Sequence, residues 1–286
     1  MVNKLLILGF FIMGSAISAE SSAIEDDLTI LSWNIKMFSA PYGWLHNRIE
    51  RAENIIQSLK NSTNYDVILF QEAFSSKIRK QIYRGLKLLY PYQIEPEDHF
   101  NFFKTNSGLW AISKMPIELI DQISFSKLKE WDWMSSKGAK LYSVIKNDKE
   151  ILLINTHLQS DYKTNYSSIR RSQYDEINLG LILPYVKINK PLILCGDLNI
   201  SNVVNLDKML KHINLKNGPL SGKLQFSTYS QPNELVDYIL VKTDKFRFKS
   251  IQRRIQDFSM DFLEYSTNMS DHYPIEANFI WEHISK

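Results

Sequence analysis

Short apolar runs recur along the chain, and most of them end abruptly in a polar side chain. Leu28-Thr-Ile-Leu-Ser-Trp33, Val67-Ile-Leu-Phe70, Leu109-Trp-Ala-Ile112 and Ile117 to Phe125 have the length and the β-branched or aromatic content of strands. Leu141 to Ile145 and Ile151 to Ile154, joined by the polar stretch 146–150, predict a hairpin. Leu192 to Cys195, Val236 to Val241, Ser250 to Ile255 and Ile275 to Ile280 add further strands. Three stretches are spaced as helices instead. They are Leu45 to Leu59 (with Ile49, Ala52, Ile55 and Ile56 on one face), Ile78 to Leu89 ahead of Pro91, and Ile169 to Val186. Strands outnumber helices, and hairpins mix with helical crossovers. That pattern predicts an α/β fold with mixed sheets whose outer faces the helices cover.

The N-terminus departs from this pattern. Lys4 precedes an apolar run from Leu5 to Met13, and small residues follow from Gly14 to Ala23. This reads as a secretory signal peptide over residues 1–23, cleaved after Ala19 or Ala23. The run is shorter than the roughly 20 residues of a membrane span. The remainder, 24–286, reads as one domain without repeats or low-complexity tracts. The expected location is extracellular or periplasmic, and the expected state a monomer. The chain has one cysteine, Cys195, so it forms no internal disulfide and depends on core packing. Its 286 residues, 44% of them hydrophobic, permit such a core. Cys195 itself, in an apolar run, reads as a buried small hydrophobe. The formal net charge of +3, with only short basic runs such as Arg170-Arg171 and Arg253-Arg254, counts against a dedicated duplex-DNA binder.

Candidate chemistry lies at the ends of the apolar runs. Asn34 follows the first, Gln71-Glu72 the second, Asn155-Thr156-His157 the run Ile151 to Ile154, and Gly196-Asp197-Leu198-Asn199 the run Leu192 to Cys195. Asp237 opens a later run, and Ser270-Asp271-His272 precedes the last. Sheets gather strand ends at one rim, so these groups can converge on a single cleft. Glu72, Asn34, Asp197, Asn199 and Asp271 offer oxygen ligands, a set that selects Mg²⁺, with Mn²⁺ or Ca²⁺ as alternatives, over Zn²⁺. Two histidines beside such a cation suit hydrolysis of a phosphate ester, one of them activating water. Taken singly, each of these residues reads more readily as a turn former, a cap or a structural histidine than as part of a site.

Together and in this order they resemble the successive signatures of the endonuclease/exonuclease/phosphatase superfamily. The stretches are Trp33-Asn34-Ile35, Phe70-Gln71-Glu72, Asn155-Thr156-His157-Leu158-Gln159, Cys195-Gly196-Asp197-Leu198-Asn199, Val236-Asp237-Tyr238-Ile239 and Ser270-Asp271-His272-Tyr273-Pro274. The resemblance implies a four-layer α/β sandwich with two central mixed sheets flanked by helices. It also implies roles. Glu72 and Asn34 would bind metal, and Asp271 would lie near it. Asp197 and Asn199 would bind metal and position water and phosphate. His272 would be the general base oriented by Asp237, and His157 would contact the phosphate.

Within the superfamily, Asp132-Trp133 followed by Ser136-Lys137-Gly138-Ala139 is similar to the Lys-Gly stretch of neutral sphingomyelinases, as are Thr156-His157-Leu158-Gln159 and Arg170-x-x-Gln173-x-x-Glu176-Ile177. That likeness implies Mg²⁺-assisted release of phosphocholine from sphingomyelin or a related membrane phospholipid. Lys137 is then a candidate substrate contact, or else a solvated loop lysine. Two apolar-aromatic stretches are candidates for peripheral membrane contact, Gln256 to Tyr265 and Leu128 to Met134. Two other readings stay open. One is a secreted Mg²⁺-dependent nuclease acting on nucleic acid. The other is a non-catalytic binding module on the same scaffold.

Overall fold

Strands β1 (Asp27–Asn34) and β2 (Val67–Gln71) lie side by side and run parallel, with Asn34 opposite Gln71. They are the centre of a seven-stranded sheet in the order β10 (Leu220–Ser221), β12 (Phe248–Ile255), β13 (Ile275–Trp281), β1, β2, β4 (Trp110–Ser113), β3 (Tyr92–Ile94). A six-stranded sheet runs β5 (Ile117–Ser124), β6 (Gly138–Lys146), β7 (Lys149–His157), β8 (Leu192–Asp197), β11 (Asp237–Lys242), β9 (Lys216–Asn217). Its parallel pair is β7 and β8, which places His157 opposite Asp197. The computed structural model describes residues 27–39, 47–62, 64–97, 104–186, 190–222, 224, 228, 234–242, 248–258 and 269–281. The expected signal peptide, Leu45 and residues 259–265 lie outside the described residues.

Alternation along the strands builds the layers, because successive side chains point to opposite faces. Leu28, Ile30, Val67 and Leu69 meet Ile151, Leu153, Ile193 and Cys195 between the two sheets. Leu31, Trp33, Ile68 and Phe70 face the other way, against Ala52, Ile55, Ile78 and Ile82 of helices α1 (Arg48–Asn61) and α2 (Ser76–Leu86). On the far side, Leu152, Ile154 and Leu194 pack against Ile177, Leu206 and Met209 of α3 (Ser167–Ile177) and α5 (Val203–Ile213). Three apolar layers therefore separate four structural ones, as the resemblance implied. The buried Cys195, its thiol pushed up by burial, belongs to the central layer as a small hydrophobe.

Three local departures from the sequence reading have physical causes. The helix expected over 169–186 changes to a π turn at Asn178–Ile182 and then to α4 (Leu183–Val186), because Pro184 has no N–H to donate and crowds the carbonyl one turn back. Helix α5 is an addition. Its run Val203-Val204 is exposed and resembles a strand, but the Asn202 side chain caps it by accepting from the Asn205 N–H. Glu130–Met134 forms a short 3₁₀ turn.

The topology sets the site. Parallel pairs bring the carboxyl ends of β1, β2, β7 and β8 to one rim. Strand β11 is antiparallel to β8 and starts there, with Asp237 opposite Asp197. Strand β13 is antiparallel to β1, with Ile275 opposite Ser32, so the segment entering it reaches the same end.

Candidate active site

Asn34, buried at the end of β1, is the hub of the rim. Its Nδ2 donates to Glu72 Oε1 at 3.2 Å and to Asp197 Oδ2 at 3.0 Å, and its Oδ1 accepts from the Lys36 N–H. One carboxylate from each sheet is thus drawn to the same amide. Glu72 sits just beyond β2 at φ 53°, a left-handed conformation that non-glycine residues hold only when their surroundings enforce it. The Met37 N–H, bonded to the Glu72 carbonyl, and the Ala73 N–H, bonded to the Gly108 carbonyl, supply that enforcement. Asn199 is also left-handed, at φ 51°. Its N–H donates to Asp197 Oδ1, and its Nδ2 donates to the Leu158 carbonyl. Gly196, before Asp197, has φ +145°, and a Cβ there would stand 1.9 Å from the Thr156 carbonyl oxygen, so only glycine lets β8 approach β7 this closely.

His272 and Asp237 form a second group on the other side of Asp197. The distance from His272 Nδ1 to Asp237 Oδ2 is 2.8 Å, and His272 Nε2 lies 3.8 Å from Asp197 Oδ2. Trp33 Nε1 donates to the His272 carbonyl, which fixes the backbone. Burial disfavours a charged imidazole here, but the carboxylates of Asp237 and Asp197 outweigh it and raise His272 to about 10. Burial, helped by Asp237, raises Asp197 to about 7. In this adjoining pair the imidazole holds the proton, because two carboxylates flank it. Burial also raises Glu72, against the pull of Lys137 and the Asn34 amide.

A third group closes the site from the six-stranded sheet. Lys137 Nζ is 2.9 Å from both His157 Nε2 and Asp132 Oδ2, and donates to the Leu158 carbonyl. Burial, then the charges of Lys137 and His272, hold His157 well below the usual imidazole value. It is therefore neutral, with Nε2 the acceptor, and its buried Nδ1 has no partner among the described residues. His157 Nε2 also lies 3.4 Å from Asp197 Oδ2.

Glu72, Asn34, Asp197, Asn199, His157, Lys137, Asp237 and His272 thus lie together at one rim. Lys137 is 2% exposed and ion-paired, which removes its reading as a solvated loop lysine. Asp271 lies at the edge, half-exposed, its Oδ2 bound to Lys36 Nζ at 2.6 Å. Sequence reasoning assigned no role to Asp132, which holds Lys137 and also accepts from the Tyr162 hydroxyl and the Ser160 N–H. Nor did it single out Arg51, which bonds the carbonyls of Ile35, Lys36 and Met269 and ties β1's exit to the approach to β13. An arginine on an otherwise apolar helix face was the available signal. The Arg170-x-x-Gln173 pattern serves as a scaffold. Arg170 donates to the Gln159 carbonyl and Gln173 accepts from the Gln159 N–H, holding the loop after His157.

Two carboxylates and two amides gathered at one rim are the donor chemistry of a hard divalent cation. His272, Asp237 and Asp197 also offer ligand atoms within 4.8 Å of one another, but His272 Nδ1 is already bonded to Asp237. The oxygen cluster of Glu72 and Asp197 is the better fit.

The profile of the Endonuclease/Exonuclease/phosphatase family matches residues 31–272, the span that carries every group just described. The chain belongs to this family and is a phosphodiester hydrolase. A phospholipase C of Staphylococcus aureus is 26% identical over 310 residues, covering 96% of this chain and 93% of that protein. A sphingomyelinase C of Bacillus cereus is 25% identical over 315 residues, covering 94% of each. The crystal structure of a Staphylococcus aureus beta toxin variant with bound magnesium ions superposes with a TM-score of 0.72 at 26% identity, over 88% of this chain and 99% of that one.

Proposed function

We propose that the protein is a secreted, divalent-metal-dependent sphingomyelin phosphodiesterase, active as a monomer, that releases phosphocholine and leaves ceramide. The observation that carries this reading is the meeting of the His272–Asp237 dyad with the Glu72–Asn34–Asp197 cluster at a single carboxylate, Asp197. The names of the relatives support the lipid substrate, and the apolar run ahead of residue 24 supports secretion.

Glu72 and Asp197 would hold Mg²⁺ or Mn²⁺, with Asn34, Asn199 and Asp271 around it. Such an ion, when bound, neutralises charge on the phosphoryl oxygens. His272 acts as base. An ion held there would offset the charge of Asp197, one of the two carboxylates that retain the imidazole proton, and would leave Nε2 able to accept a proton from water. Asp237 keeps the ring oriented by accepting from Nδ1–H. Lys137 donates to a phosphoryl oxygen and meets the negative charge that grows there, with His157 beside it, while Asn199 steadies the phosphate and the attacking water. Water oxygen bonds to phosphorus as the bond from phosphorus to the ester oxygen breaks, and that oxygen leaves with ceramide after taking up the proton His272 accepted or one from solvent.

The test incubates purified protein with sphingomyelin liposomes or plasmid DNA, in Mg²⁺ or EDTA. Phosphocholine release in Mg²⁺ alone is the expected result. Plasmid nicking in place of it would make the protein a nuclease, hydrolysis in EDTA would remove the metal assignment, and no hydrolysis of either would leave a binding module.

A further inference from the structure

We propose that the 3₁₀ turn Glu130–Met134 is a rigid membrane-docking element whose two tryptophans seat the reaction cleft on the lipid–water interface; this rests on the lipid-substrate reading above. Trp131 and Trp133 are 64% and 48% exposed, whereas Trp33 and Trp110 are buried in the core. The residue between them points the other way. Asp132 is buried, with its carboxylate on Lys137, the Tyr162 hydroxyl and the Ser160 N–H. Glu130 opens the turn at φ 52°, in the left-handed region, and its Oε1 accepts from the Tyr166 hydroxyl. The two rings are therefore presented on a backbone fixed from beneath, and ordering them at a surface costs little conformational entropy.

The chemistry around the turn suits a phospholipid interface. Tryptophan favours the headgroup region, where an apolar ring can enter and its N–H stay wet. Lys127 and Lys129, both exposed, flank the turn, and the carboxylates of Glu130 and Asp132 are engaged by Tyr166 and Lys137. Two exposed lysines beside two exposed rings suit headgroup phosphates, the hydroxyl contact leaving the Glu130 charge in place. The turn is also continuous with the site, since Asp132 touches Lys137, and Lys137 touches His157. A bilayer contacting the two rings would thus lie against the wall of the cleft that Asp132 and Lys137 build.

The test measures binding and hydrolysis separately. Binding is read in EDTA as co-sedimentation with sucrose-loaded vesicles of phosphatidylcholine and sphingomyelin, a measure that does not depend on the tryptophans removed. Hydrolysis is read in Mg²⁺ on the same vesicles and on a soluble chromogenic phosphodiester. In the doubly substituted Trp131→Ala, Trp133→Ala protein, vesicle affinity and vesicle hydrolysis should both fall about tenfold or more, with soluble-diester hydrolysis unchanged. A second variant, Lys127→Glu with Lys129→Glu, leaves the rings in place and should weaken binding to vesicles doped with anionic lipid. Wild-type affinity in the tryptophan variant overturns the proposal, as does loss of soluble-diester activity in step with vesicle activity. A wild-type dimer that the tryptophan variant converts to a monomer on gel filtration also overturns it, by assigning the rings to a second copy of the chain. Vesicle binding through the two rings without any phosphocholine release would uphold the docking element and remove the sphingomyelin reading instead.

Discussion

At the scale of single residues, the site works by keeping like and unlike charges in fixed pairs. His272 is raised only because Asp237 and Asp197 outweigh its burial. The change Asp237→Asn removes the larger of those two carboxylate contributions and keeps the burial, so the imidazole should titrate well below about 10. The ring also loses the partner that fixes its orientation, and kcat should fall by about 10² or more. An imidazole NMR titration with a phosphodiester assay checks both, and unchanged values in either would remove the dyad. Lys137 and Asp132 are 3% and 8% exposed at their side chains, so losing one leaves an unpaired buried charge, at about 3–5 kcal/mol. Lys137→Met should therefore lower both stability and activity. Adding Asp132→Asn should recover much of the stability and none of the activity. If activity returns along with stability, Lys137 is a structural residue.

At the scale of elements, contact between the sheets decides the geometry of the rim. Gln71 Nε2 donates to Asn155 Oδ1 at 2.8 Å, and Asn155 Nδ2 donates to the Phe70 carbonyl, across the fully buried centre. These bonds lie one residue before Glu72 and two before His157. Asn155→Ala should cost about 1–3 kcal/mol by leaving buried polar groups unpaired. It should also reduce kcat more than the stability loss explains, because small displacements of reacting groups are expensive in rate. Thermal melts beside kinetics below the melting range separate the two effects, and full kcat in a destabilised protein would make the link purely structural. The elements themselves were legible in the sequence to different degrees. Strands buried on both faces, such as Val67–Gln71 and Leu192–Asp197, stand out as unbroken apolar runs. Strands β3, β9 and β10 are two or three residues long and exist through pairing with neighbours, so no local pattern reveals them. The rim residues were legible because each stands at or beside the end of a strand. Asp132 was not, because its role depends on Lys137 and Tyr162 coming to it in space.

At the scale of the whole molecule, two sheets each contribute a carboxylate to one amide, so a cation held there would bridge the halves of the sandwich. Glu72 belongs to the seven-stranded sheet and Asp197 to the six-stranded one, and both bond Asn34. Ligand binding to the folded state alone adds RT ln(1 + [L]/Kd) to stability, so Mg²⁺ should raise Tm in a concentration-dependent way. The sign with pH follows from the carboxylates. Both are raised, Asp197 to about 7, so protons compete with the cation for these carboxylates as pH falls. For Asp197 alone, the folded state binds its proton more tightly than the unfolded chain, so its contribution to metal-free stability falls as pH rises from about 3.8 towards about 7. Over that same window the carboxylate becomes available to the cation. The Tm difference between Mg²⁺ and EDTA should therefore be small near pH 5, grow through about 7 and level off above it. Glu72→Gln should flatten the difference at every pH without unfolding the protein, and calorimetry on both proteins measures it with no substrate present. A Mg²⁺-induced shift independent of pH, or one that survives Glu72→Gln, would place the cation away from these carboxylates.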